Sequence, residues 1–236
     1  MRLLFHRMMK RLRKQEWVAI GIDFLIVVIG VFIAMQVSNW NAQGAERRHA
    51  RELTQALRVE FTDIERELET SLGNITRYQA ASRSLVTALR NDTVPSDSDQ
   101  VKTWILNSIN LGRQSPRSAV YLQMVSDGDL QLIDDPKLTA ALVRFDQRIE
   151  RNAFVYAGTL SIMFLDDPLF DAAEFNDTGA LRGAGRTVLS YDRERLKAAE
   201  SRIEAASLAQ SSLRTSVAEQ LADARAILVL LKKPAA

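Results

Sequence analysis

The chain has 236 residues, 47% hydrophobic and 25% charged, with two histidines, no cysteine and a formal charge of +2. That balance suits one domain with an appendage and excludes collagen-like, linker-rich and mostly disordered chains. The lack of cysteine removes disulfide frameworks, thiolate metal sites and cysteine nucleophiles, and it fits an oxidising compartment.

Charge is spread unevenly. Residues 1–16 hold Arg2, Arg7, Lys10, Arg11, Arg13 and Lys14 against Glu16, a local +5, which leaves −3 for the other 220 residues. A nucleic-acid surface would spread basic residues over a folded face, so no nucleic-acid partner is expected. A short basic tail beside an apolar run points instead to a lipid bilayer.

The apolar run follows at once, from Trp17 to Val37. About 20 residues at 1.5 Å each cross a hydrocarbon core of roughly 30 Å. Trp17 and Trp40 bracket the run as membrane-interface anchors. The run is longer than a cleavable signal core, and Ser38-Asn39-Trp40-Asn41 is not a small-x-small cleavage site, so an uncleaved anchor is expected. The basic tail predicts a cytoplasmic N-terminus, and the single long apolar run predicts a single pass. The expected division is a cytoplasmic tail at 1–16, a transmembrane helix at 17–37 and an extracytoplasmic helical part at 38–236.

Two polar residues, Asp23 and Gln36, interrupt the span. A carboxylate costs about 2.5–3.5 kcal/mol at mid-bilayer and less near an interface. Asp23 lies six residues beyond Trp17, roughly 9 Å deep by helix rise. It is a candidate intramembrane contact with another helix, and equally a protonated or water-reached group near the cytoplasmic surface. Gly30 and Ala34 form a small-xxx-small pair, a weak signal for helix association.

Beyond the span Leu57, Phe61, Ile64, Leu68, Leu72, Ile75, Tyr78, Ser82, Leu85 and Leu89 recur at three- and four-residue steps. No proline interrupts residues 1–93, so one helix is predicted from the membrane to about Arg90, with Gly44 and Gly73 as bend points. Ser115-Pro116, Asp135-Pro136 and Asp167-Pro168 predict helix starts, giving helices over 116–126, 136–165 and 168–175. Gly112 and Gly128 suit the ends of the helices before them. Leu130-Gln131-Leu132-Ile133 alternates too briefly to seed a sheet. Residues 175–188, with Gly179, Gly183 and Gly185, read as a mobile connector.

The last helix carries Leu196, Ala199, Ile203, Ala206, Gln210, Leu213, Val217, Leu221, Ala224, Leu228 and Leu231 in a near-heptad series. Its length nearly matches that of the helix before Arg90, which predicts antiparallel packing. The segment from Ile227 to Lys233 would then either touch the bilayer surface or close the core. The expected fold class is all-α, an N-terminal transmembrane helix continuing into an elongated antiparallel helical bundle.

No enzyme signature emerges. His6 and His49 fall on opposite sides of the span, and His49 has no nucleophile motif beside it. Asp127, Asp129, Asp134 and Asp135 miss the twelve-residue calcium-loop spacing and read as caps and turn formers. The 179–185 glycines lack the Gly-Lys-Ser/Thr ending of a phosphate loop. Asn74, Asn91 and Asn176 open glycosylation triplets of a kind frequent by chance. No catalytic residue, cofactor or metal is expected.

The string from Gly21 to Asn41 resembles the anchor of a bacterial family of uncharacterised single-span membrane proteins. The likeness rests on the acid at Asp23, the Val28-Ile29-Gly30 run, Ala34-Met35-Gln36 and the Asn39-Trp40-Asn41 ending. A second stretch, Tyr121 to Phe145, resembles that family's serine-glycine turn and following Leu-rich helix. Here Ser126-Asp127-Gly128-Asp129 makes the turn one residue longer than the usual form. The likeness covers about a fifth of the chain. It implies a bacterial inner-membrane protein with a helical periplasmic part and transfers no activity. Two function classes remain. One is an interaction or sensing module working through other envelope proteins or a second copy. The other is a membrane-tethered enzyme with an unrecognised site.

Overall fold

The computed structural model describes residues 2–164, 168–176 and 186–232. They are mostly helical: α1 (Arg2–Arg90), α2 (Asp99–Ser108), α3 (Ala119–Asp127), α4 (Pro136–Phe164), α5 (Pro168–Asp171), α6 (Arg193–Ala198) and α7 (Glu200–Leu231). A two-stranded antiparallel sheet, β1 (Ala173–Asn176) and β2 (Thr187–Tyr191), lies between α5 and α6 in the chain. Two compact units divide the chain at residues 52 and 53.

The first unit, residues 1–52, is the leading part of α1. From Phe24 onwards this helix is long and apolar enough to cross a membrane. Its described apolar side chains from Ile22 to Trp40, among them Phe24, Leu25, Ile26 and Phe32, are all exposed. Gly44 does not interrupt the helix.

The second unit holds the cores. Leu57, Phe61, Ile64, Leu68, Ile75, Leu85 and Leu89 are all buried, as their spacing predicts, and Gly73 leaves the helix unbroken to Arg90. Every member of the near-heptad series from Leu196 to Leu231 is buried as well. Cross-links fix how these helices run. Arg90 donates to Glu200 at 2.9 Å and to Glu204 at 2.6 Å, whereas Arg225 donates to Glu65 at 2.8 Å and also to Glu69. Early residues of one therefore meet late residues of the other, so the 53–90 part of α1 and α7 lie antiparallel. Helix α4 joins them: Phe145 meets Phe61 edge to face with centroids 5.1 Å apart, and Arg148 donates to Asp223 at 2.7 Å. Ile227, Leu228 and Leu231 belong to this core, so they close it and are not left for lipid; Lys233 lies outside the described residues.

Two apolar cores result. One gathers Leu57 to Ile75 with α4 and most of α7, and the other gathers Leu85 and Leu89 with Ile105, Leu169, Val188, Leu196 and Ile203. Buried polar residues Gln79, Ser82, Ser108, Ser207 and Gln210 occur where α1, α2 and α7 pass from one core to the other. Gln210 is fully buried. Its Nε2 donates to the carbonyls of Asn110 at 2.8 Å and Asn107 at 3.3 Å, and its Oε1 accepts from Ser82 Oγ at 2.8 Å. One amide thus bonds carbonyls at and just after the end of α2 and ties that end to α1 and α7.

Several boundaries depart from the sequence expectation. Helix α3 begins at Ala119, capped by Ser118 and not by Ser115. Ser118 Oγ accepts from the Tyr121 amide at 3.0 Å and donates to Glu60, whose carboxylate also accepts from the Ala119 amide at 2.6 Å. Glu60 comes from α1, so this anion at a helix N-terminus could not be read locally. Asp135 does cap α4, accepting from the Lys137 amide at 2.8 Å, while Asp167 lies outside the described residues. Helix α2 ends at Ser108, so Gly112 is not its cap, whereas Gly128 ends α3 with φ +79°. Asp129–Leu132 forms a 3-10 turn. Helix α5 stops at Asp171, and the last helical stretch breaks at Ala199.

The all-α expectation needs one correction. Residues 173–176 and 187–191 pair as strands, although 175–188 reads as a connector. The register slips between Glu174 and Phe175: Glu174 pairs with Ser190, but Phe175 pairs with Val188. Leu189 is the extra residue and is 50% exposed, which breaks the two-residue alternation that marks a strand. Arg186 lies over the Phe170 and Phe175 rings, 5.5 and 5.0 Å from their centroids, and secures the hairpin base. Gly179, Gly183 and Gly185 lie outside the described residues.

Two predictions follow from this packing. Gln210→Leu leaves the Asn110 carbonyl without its donor and Ser82 Oγ with only the Tyr78 carbonyl, at a cost of about 1–3 kcal/mol, read by denaturant unfolding of the full chain in detergent. Glu200 has its carboxyl held below the ordinary 4.5, first by the hydrogen bond from Arg90 and then by that from Lys197. A lowered folded value means that its stabilisation is complete above the ordinary value and is lost as pH falls through the folded one. Glu200→Gln should flatten that part of the acid limb of a stability–pH profile and leave the slope near neutrality unchanged.

Candidate functional site

Two features are candidates for function: the apolar stretch of the first unit and a cleft in the second. In the first unit Asp23, Gln36, Trp17 and Trp40 all lie within α1. Gln36 is exposed, and Trp40 is 76% exposed. The side chains of Trp17 and Asp23 lie outside the described set. His49 is exposed on α1, and His6 has no described side chain. Among the described residues no three of His, Asp and Glu gather to hold a metal ion.

The cleft is built in the second unit by α1, α4, α7 and the 109–118 connector. Ile75, Ile149, Leu213 and Val217 supply its apolar wall, while Arg113, Asn152, Tyr156 and Gln220 bring polar groups to it. Asn152 and Tyr156 share a helix face because they stand four residues apart on α4. Gln220 comes from the last helix, one position from the near-heptad series, and is 1% exposed.

Hydrogen bonds hold the connector in place. Tyr156 donates its hydroxyl to the Gly112 carbonyl at 2.7 Å, and Ser115 donates to Gln220 Oε1. Burial raises the Tyr156 phenol above its ordinary value, which keeps it a neutral donor through the physiological range. Gly112 has φ +84°, and a Cβ there would stand 3.0 Å from Ile75 Cγ1. Glycine is thus required twice at this point, for the left-handed backbone and for the close approach to α1. Asn152 Nδ2 is buried without a hydrogen-bond partner.

The sequence expectation named Ile75, Leu213 and Val217 only as core positions and Ser115 only as a cap, and it singled out none of Arg113, Asn152, Tyr156 and Gln220. The cleft residues are drawn from segments around 75, 113, 152 and 220, and no local pattern links them. The one available signal was a polar residue at or beside an otherwise apolar helical phase, as at Gln220 or Gln210. The four acids around Asp127 to Asp135 build the α3–α4 turn and do not line the cleft.

No family model, curated protein or solved structure matches the chain. The fold defines a class, a mostly helical chain bearing one long, apolar N-terminal helix.

Gly112→Ala tests the connector. A left-handed backbone costs a residue with a Cβ about 1–2 kcal/mol, before the contact with Ile75 is relieved. Unfolding of the full chain should show at least that loss, with Gly128→Ala showing only the backbone share because nothing lies within 4 Å of its Cβ position.

Proposed function

We propose that the chain is a membrane-anchored, extracytoplasmic helical interaction or sensing module of the bacterial envelope, acting through partner proteins or a second copy of itself. On this reading residues 1–16 stay in the cytoplasm, 17–37 cross the inner membrane once, and 38–236 form an elongated antiparallel helical bundle in the periplasm. The observation that carries it is that a single helix, Arg2–Arg90, contains both the apolar stretch and the buried Leu57–Leu89 stripe. The basic tail before Trp17 supports the orientation, and Asp23 and Gln36 are the groups able to recognise another helix within lipid. The resemblance of the Gly21–Asn41 stretch to anchors of single-span bacterial proteins supports the same placement. The cleft gives the enzyme alternative little to work with, since neither a carboxylate nor a histidine lines it.

Topology and contact are tested separately. A reporter that works only outside the cytoplasm, fused after Ala236, should be active, and activity of a cytoplasm-only reporter there would overturn the orientation. Asp23→Leu should insert at least as well as the native chain and lose recovery of a partner or second copy in mild detergent. Unchanged association would assign Asp23 to the membrane interface alone.

A further inference from the structure

We propose that the cleft beside Gly112 binds a short-chain monocarboxylate, with Arg113 holding the carboxylate and the Ile75–Leu213 wall holding the alkyl tail. This goes beyond the anchoring and interaction reading and does not rest on it.

The hydrogen-bond accounting of the cleft carries the argument. Two of its acceptors are already engaged: Gln220 Oε1 takes the Ser115 proton, and the Gly112 carbonyl takes the Tyr156 proton. Two donors stand beside them. Asn152 Nδ2 is buried with no partner, and a buried unmet donor costs enough that a ligand oxygen is favoured there. Arg113 is exposed and makes no ion pair among the described residues. Neither Asp nor Glu lines the cleft to neutralise it, so the local field favours an anion.

Shape and charge narrow the class. The guanidinium fork matches a planar carboxylate in two parallel hydrogen bonds. A single arginine balances one negative charge, which favours a monocarboxylate over phosphate or sulfate. Ile75, Leu213 and Val217 make the rest of the wall apolar, which suits a short alkyl chain and not a nucleotide or an oligosaccharide.

Calorimetric titration of the full chain in detergent, with butyrate, butyramide, butylamine and inorganic phosphate as probes, tests this. Butyrate should bind saturably in the millimolar range, about tenfold more tightly than the neutral amide, and butylamine and phosphate should not bind measurably. Arg113→Gln removes an exposed side chain and should bring butyrate down to the butyramide level without changing butyramide. Asn152→Leu should weaken both acid and amide several-fold, with unfolding curves confirming that the variant folds. Absence of saturable heat from butyrate up to about 10 mM would overturn the proposal, leaving the cleft a site for water. Butyrate binding unchanged in Arg113→Gln, or phosphate binding equal to butyrate, would overturn it equally. Neither outcome bears on membrane topology, which the reporter fusions read independently.

Discussion

Gln210 is the interaction on which the arrangement of the second unit depends. Its amide lies fully buried where two apolar cores meet, accepting from Ser82 on α1 and donating to the carbonyls that follow α2. Apolar side chains alone would let α7 slide along α1, because leucines and alanines at heptad spacing pack almost as well one turn away. A buried amide with fixed partners at both ends does not tolerate that slip, since every lost bond leaves a desolvated group unpaired. The same residue bonds the carbonyls where α2 ends, and so ties the start of the 109–118 connector to α7.

Exposed charge reinforces the register without creating it. Arg90 bridges Glu200 and Glu204, and Arg225 bridges Glu65 and Glu69, in each case one arginine across two glutamates one turn apart. Exposed pairs of this kind contribute little individually. Their value lies in orientation, because a parallel or slipped α7 would set Arg225 away from the Glu65–Glu69 pair. Glu60 works differently: it takes the place of a local cap and puts a full negative charge on the amides that open α3. A helix start is thereby anchored to a helix some sixty residues earlier in the chain.

The two units answer different demands. Among the described side chains of the first unit, the apolar ones from Ile22 to Trp40 are exposed, an arrangement that suits lipid. In the second unit most apolar side chains face inward, and specific bonds hold buried polar groups such as Gln210 and Ser82, while Asn152 Nδ2 stays unpaired. Helix α1 serves both regimes because its sequence changes from a uniformly apolar run to a stripe at three- and four-residue steps without a proline between them.

The sequence by itself determined whatever depends on neighbours within a turn or two of helix. The long apolar stretch of α1, its end at Arg90, the buried stripes of α1 and α7, and the Asp135 cap are all local in this sense. Tertiary structure decided what depends on residues far apart. Ser118 opens α3 in place of Ser115 because Glu60 reaches it; the hairpin forms although Leu189 bulges out of the strand alternation; and Ile227 with Leu228 turns to the core because α1 and α4 cover it. The cleft belongs to the same group, for Ile75, Arg113, Asn152 and Gln220 share no period and meet only when four segments pack. The physical reason is that helix propensity and amphipathic spacing act over three to seven residues, whereas capping by a distant carboxylate, satisfaction of buried amides and the shape of a cleft exist only once the chain has closed on itself.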